Sequence, residues 1–170
     1  MQKSIEKIGG NRMKITITLN GKRIQEEIAN DVLLIDFLRA HGCYSVKRGC
    51  ETSNCGLCTV WMDQKPVLSC SLLCAKCDGH SITTLEGVQK QAEAFAYFMA
   101  HEGAEQCGFC SPGLIMNVLA MEQELQAPTM DEIRSYLAGN LCRCTGYMGQ
   151  MRAIQKYLHR DKEAAHETDQ

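Results

Sequence analysis

From Met13 onward apolar and polar residues alternate: Ile15, Ile17 and Leu19 stand against Lys14, Thr16 and Thr18. Asn20-Gly21 follows, then Ile24 and Ile28. A period of two predicts strands, and Asn-Gly accepts the positive φ angles of a type I′ turn, so this stretch reads as a hairpin. The next segment, VLLIDFLRAHG, carries a helical stripe of Leu33, Leu34, Phe37 and Leu38, with Asn30 or Asp31 to cap it and Gly42 to end it. A cysteine-rich loop spans residues 43–58. CTVWMDQKPVLSC then reads as a second hairpin turning at Asp63-Gln64, and SITTLEG as a last short strand.

Near Gln91 the period lengthens to that of a helix. Phe95, Phe98 and Met99 share one face. SPGLIMNVLAMEQEL opens with Ser111 as N-cap and Pro112 at the first helical position. TMDEIRSYLAG carries a capping box, Thr129 with Glu132, and closes on Gly139. GQMRAIQKYLHR makes a fourth helix, and the polar tail after it is expected to fray. The chain therefore reads as α+β: an extension over 1–12, a sheet unit over 13–88, a helical unit over 89–160 and a tail over 161–170, joined near 86–92. Units this small gain much from cross-linking by metal.

Composition changes the picture at one residue type. The 170 residues are 45% apolar and 22% charged with a net charge of −2, as a globular chain should be. No basic block offers nucleic acid a footprint, and no apolar run approaches a membrane span. MQKSIEKIGGNRMK lacks an apolar core, so no export signal is read and the cytoplasm is expected. Cysteine is the outlier, at 11 residues. In a reducing compartment disulfides do not persist, so clustered cysteines point to metal or redox chemistry.

Cys50, Cys55 and Cys58 stand as C-x4-C-x2-C, with Cys70 twelve residues on. That is the plant-type [2Fe–2S] spacing. The cluster is a compact anion and needs a wrapping loop; Gly49 and Gly56 permit the tight conformations, and Lys47 and Arg48 are candidates to offset the charge. A zinc site fits the four-residue gap poorly, and a thioredoxin-like Cys55–Cys58 pair lacks its preceding strand and following helix. Spacing alone leaves Cys74 open as an alternative to Cys70.

A second set is complete as well. EQCGFCSPG offers Cys107 and Cys110, and GNLCRCTGY offers Cys142 and Cys144. Both hooks sit at helix ends, where backbone N–H groups and the helix dipole favour an anion.

VKRGCETSNCGLCTV, EQCGFCSPG and GNLCRCTGY together resemble the three signatures of the small iron–sulfur subunit of molybdenum hydroxylases, over about residues 13–160. The resemblance implies a β-grasp plant-type ferredoxin domain followed by a four-helix bundle. It implies two [2Fe–2S] clusters, one on Cys50, Cys55, Cys58 and Cys70, the other on Cys107, Cys110, Cys142 and Cys144. It also implies a separate large molybdopterin-binding subunit nearest the second cluster, with Gln106 and Cys144 toward the pterin, and an FAD-binding subunit or other acceptor beyond the first. Substrate hydroxylation would occur in the partner, with water supplying the oxygen, and this chain would carry the electrons one at a time. A purine such as xanthine is the expected substrate, with nicotinate and aldehydes as alternatives. A free-standing iron–sulfur redox or sensor protein is the rival reading, disfavoured by the second set.

Some residues depart from the family pattern. Ser53 stands where the family has glycine, and Asn54 is expected to take up the strain because asparagine tolerates positive φ. Asp63-Gln64 replaces a glycine-containing turn. Gln150 stands near a position often held by isoleucine, on a surface expected to face the cofactor subunit. Cys43, Cys74 and Cys77 are left over and read as free thiols; His41, His80 and His101 read as ordinary loop or helix-end residues.

Overall fold

The computed structural model describes residues 11–167, with side chains from 11 to 160. Strands β1 (Arg12–Leu19) and β2 (Lys22–Ala29) pair antiparallel, Leu19 opposite Lys22. Their turn has φ of 48° at Asn20 and 80° at Gly21, both positive as a type I′ turn requires. Strands β3 (Thr59–Met62) and β4 (Lys65–Leu68) form the second hairpin. Its turn adopts positive φ at both Asp63 (49°) and Gln64 (68°) without any glycine. Strand β5 (Ser81–Thr83) lies at the centre, parallel to β1 and antiparallel to β3, giving the order β2-β1-β5-β3-β4.

Helix α1 (Leu34–Ala40) covers this sheet. Neither Asn30 nor Asp31 caps it: the cap is Leu33, which makes no side-chain cap. The neighbouring segment does the work instead, since Leu33 bridges Leu73 and the Leu34 N–H donates to the Leu72 carbonyl at 2.8 Å. A backbone acceptor thus serves an orphan donor that a side chain was expected to serve. Ile15, Ile17 and Leu19 of β1 bury against Leu34, Ile35 and Leu38, as their alternation predicts.

Four further helices follow among the described residues: α2 (Gln89–His101), α3 (Ser111–Glu124), α4 (Met130–Tyr136) and α5 (Met148–Glu167). The Thr129–Glu132 capping box is present, with the Glu132 carboxylate accepting from the Thr129 N–H at 2.7 Å. The start of α3 is one residue earlier than expected: Cys110 is the cap, and Ser111 turns its hydroxyl to the Glu105 carboxylate at 2.7 Å. Helix α4 stops at Tyr136, ahead of Gly139, and the chain tightens there as Asn140 N–H donates to the Leu137 carbonyl at 2.8 Å. Helix α5 continues through Glu167, into the expected tail; residues 1–10 and 168–170 lie outside the described residues.

The helices enclose a second core around Phe95, Met116, Leu119, Met121, Ile133 and Tyr157. Phe95 is fully buried, and truncating such a ring costs about 3–5 kcal/mol. Trp61 of β3 sends its side chain off the sheet into this core, and its indole N–H donates to the Met116 carbonyl of α3 at 2.9 Å. At Gly113 the two halves meet without a side chain between them, because a Cβ there would stand 2.2 Å from the Gly56 carbonyl oxygen. The first turn of α3 therefore lies directly on the first cysteine loop.

Candidate metal centres

The loop after α1 is shaped by close packing and by two residues of positive φ. A Cβ on Gly49 would meet the Leu57 Cδ2 at 2.6 Å and the Cys55 sulfur at 3.3 Å, so any side chain there would have to displace Leu57. Ser53 adopts φ of 58° and Gly56 of 72°. The strain at the Ser53 position is therefore not passed to Asn54. Asn54 instead aims its backbone N–H at the Cys50 sulfur, 3.4 Å away, and a positive φ at Ser53 is what turns that N–H inward.

These loops set four thiols in two pairs. Cys50 and Cys55 are near enough to shift each other's thiol, as are Cys58 and Cys70. The Thr52 and Asn54 N–H groups and the Cys55 thiol draw Cys50 down to about 6. Burial pushes Cys55 up, and pushes Cys58 up to about 11 against the opposing Cys70 N–H. Cys70 sits on a single 3₁₀ turn (Ser69–Ser71) after β4, fixed beside Cys58 because the Ser69 hydroxyl donates to the Cys58 carbonyl at 2.7 Å. Cys74 does not join them: it is fully buried in the sheet core, and its N–H donates to the Val32 carbonyl at 2.8 Å.

The second set has the same two-by-two order. Cys107 and Cys144 stand 3.5 Å apart sulfur to sulfur, and Cys110 pairs with Cys142. Burial acts to raise Cys142, but the Thr145 hydroxyl and the Thr145 and Cys144 N–H groups outweigh it and bring the thiol to about 7. The Phe109 N–H and the Cys144 thiol lower Cys107, and bonding to Cys107 raises Cys144. Burial lifts Cys110 to about 11. Cys107, Cys144 and Gln106 are exposed; Cys110 and Cys142 are half-buried behind them. The CRC hook is held from behind by Tyr147, whose hydroxyl accepts from the Cys142 N–H at 2.9 Å.

Gln150 is not on a partner-facing surface. It is 2% exposed, and its amide donates to the Cys110 sulfur at 3.7 Å. Periodicity marked only a polar residue early in α5; that α5 would aim it inward follows from packing between helices, to which no local pattern points. The basic residues also find other partners. Arg48 is engaged by Asp36 at 2.7 Å, and the Lys47 ammonium sits 4.8 Å over the Phe109 ring and 3.3 Å from the Phe109 carbonyl. His41, His80 and His101 bond to Glu26, Asp63 and the Tyr97 carbonyl respectively.

The thiols fit a two-metal cluster. Two thiolates at tetrahedral angles on one metal about 2.3 Å away stand roughly 3.8 Å apart, close to the Cys107–Cys144 spacing. In three of the four pairs one thiol is lowered toward the thiolate that a metal requires. The two sets also touch. Cys50, Cys55, Cys110 and Cys142 line one cleft with Phe109 and Leu141, and the Leu141 N–H donates to the Cys55 carbonyl at 3.0 Å.

Known proteins resemble this chain in sequence and fold. Residues 17–93 match the family described as a 2Fe-2S iron-sulfur cluster binding domain, and residues 84–155 match a [2Fe-2S] binding domain. The chain is 45% identical over 137 residues to the xanthine dehydrogenase iron-sulfur-binding subunit of Escherichia coli O157:H7, covering 78% of this chain and 86% of that one. It is 37% identical over 153 residues to the nicotinate dehydrogenase small FeS subunit of Eubacterium barkeri, covering 88% and 98%. A chain of quinoline 2-oxidoreductase from Pseudomonas putida 86 superposes with a TM-score of 0.80 at 36% identity, over 90% of this chain and 97% of that one. With two sets of paired thiols on a mixed sheet and a helical unit, this chain belongs to the family of small iron–sulfur subunits of molybdenum hydroxylases.

Proposed function

We propose that Cys50, Cys55, Cys58 and Cys70 hold one [2Fe–2S] cluster and that Cys107, Cys110, Cys142 and Cys144 hold the other. The gathering of the eight thiols into two sets whose members shift one another, with Cys107 and Cys144 3.5 Å apart, is what supports this reading. Each cluster, when bound, supplies a one-electron carrier; this chain is the electron-transfer subunit of an oxidoreductase complex. The chain's own residues bury the inner thiols, aim N–H groups at sulfur and hold the two loops in contact through Leu141 and Cys55. Those are the levers that set potential and distance.

The large molybdopterin-binding subunit docks on the exposed Cys107–Cys144 face, with Gln106 and Cys144 toward the pterin. An FAD-binding subunit receives electrons at the first cluster, where residues 51–54 are exposed. In this reading residues 13–88 are a β-grasp ferredoxin unit and 89–160 a four-helix bundle. Eleven free cysteines favour the reducing cytoplasm. The complex hydroxylates a purine such as xanthine, supported by the 45% identity to a xanthine dehydrogenase subunit. Nicotinate is the second reading, supported by a relative covered over 98% of its length.

Native purification followed by EPR of the reduced complex, with metal and flavin analysis, tests this. Two distinguishable [2Fe–2S] signals with molybdenum and FAD are expected, and xanthine should bleach the visible absorption under anaerobic conditions. Bleaching by nicotinate alone would replace the purine reading. A colourless zinc protein, or a chain isolated without a molybdenum partner, would overturn the assignment.

A further inference from the structure

Gln150 is the third residue of α5, yet it is 2% exposed and lines the same cavity as Cys107, Cys110, Cys142 and Cys144. Its side-chain N–H points at the Cys110 sulfur, 3.7 Å away. The helix can bring it there because Gly149 packs on the preceding turn: a Cβ at 149 would stand 3.1 Å from the Ala104 Cα and 3.2 Å from the Glu102 carbonyl oxygen. A primary amide this deeply buried is costly unless it has a defined partner, and here the partner is a sulfur of the second constellation.

We infer that Gln150 is a positioning residue that raises the reduction potential of the second cluster by hydrogen bonding to Cys110. The inference rests on the ligand assignment proposed above. Reduction adds one electron to the cluster and increases the negative charge on its thiolate sulfurs. An N–H dipole fixed on one of them stabilises the reduced form more than the oxidised form. Burial strengthens the effect, since no water competes for the dipole. The thiol that Gln150 reaches belongs to the inner pair, whose member Cys142 adjoins Leu141 and thus the contact to Cys55. The amide therefore favours the electron on the side of the second cluster that faces the first, once the molybdenum partner has supplied it.

Gln150→Met removes the donor while keeping the side chain's length, and Gln150→Leu removes it with a strong helix former. Each is made in the whole complex, and both cluster potentials are measured by EPR-monitored redox titration. The second-cluster signal is identified by its change in Cys142→Ser. In both variants reduction of that cluster should become three- to tenfold less favourable, a shift of about 30–60 mV to more negative potential for one electron, with the other signal unmoved. Unchanged potentials with both signals intact would overturn the inference and leave the ligand assignment standing. Loss of the second signal with half the iron in both variants would make Gln150 an assembly residue and also overturn it. Absence of a second signal from the unaltered complex would overturn the ligand assignment and this inference with it.

Discussion

The Leu141 N–H donates to the Cys55 carbonyl at 3.0 Å. One bond thus joins the residue beside Cys142 to a cysteine of the first loop, so the two constellations are linked by covalent bonds and one hydrogen bond, the route that the proposed clusters would use. The contact depends on Gly56 and Gly113, which let backbones meet where a Cβ would stand 2.5 Å from the Gly139 carbonyl and 2.2 Å from the Gly56 carbonyl respectively. Gly113→Ala should therefore destabilise the protein by about 1–3 kcal/mol, the usual cost of overpacking. Urea unfolding followed by circular dichroism measures it, and an unchanged midpoint would contradict so close an approach.

Cys70 and Cys74 should separate cleanly on substitution. Cys70 is near enough to Cys58 to shift its thiol, while Cys74 is fully buried in the sheet core. Cys70→Ser is expected to abolish one EPR signal and halve the iron, and Cys74→Ser to keep both signals. The reverse result would move the fourth ligand to Cys74.

Stripping the iron should expose an order of thiol reactivity. Only the thiolate reacts with iodoacetamide, so at pH 7 Cys50, near 6, is expected to be labelled first. Burial lifts Cys77 to about 11 and Cys74 to about 12, and both should stay unlabelled until the chain unfolds. Peptide mapping of timed alkylation reads the order. Rapid labelling of Cys74 in the folded chain would show that the sheet core opens without iron.

Acid stability should depend on Glu86. Burial acts to raise its carboxyl, but the Thr84 hydroxyl and the Ser45 N–H and hydroxyl outweigh burial and lower it. A carboxyl lowered on folding stabilises the protein above its unfolded value, near 4.5, and loses that contribution as pH falls through the folded value. Between pH 5 and pH 3 the native chain should then lose more thermal stability than Glu86→Gln. Parallel melting curves across that range would expose the opposite slope, or no difference, and remove Glu86 from the account.

Much of this was legible in the residues themselves. The Asn20-Gly21 turn, the Thr129–Glu132 box and the alternation of Ile15, Ile17 and Leu19 act over a few positions, so local chemistry decides them. The three cysteine hooks are equally local in spacing. What escaped was decided by contacts distant in sequence. Leu34 takes its first acceptor from Leu72, which made a side-chain cap unnecessary. Ser53 accepts a positive φ because the loop needs the Asn54 N–H turned to Cys50. Gln150 looked like a surface residue until α5 was packed against the turn that precedes Cys107.

Trp61 is the chain's single tryptophan, and its indole is bonded across from the sheet to the Met116 carbonyl of α3. That makes it a built-in optical probe of the joint. Any event that parts the sheet from the helices exposes the indole and shifts its emission to longer wavelength, whatever the rest of the molecule does. Emission from the intact chain therefore reads whether the two cysteine loops are still held against each other, with no label attached.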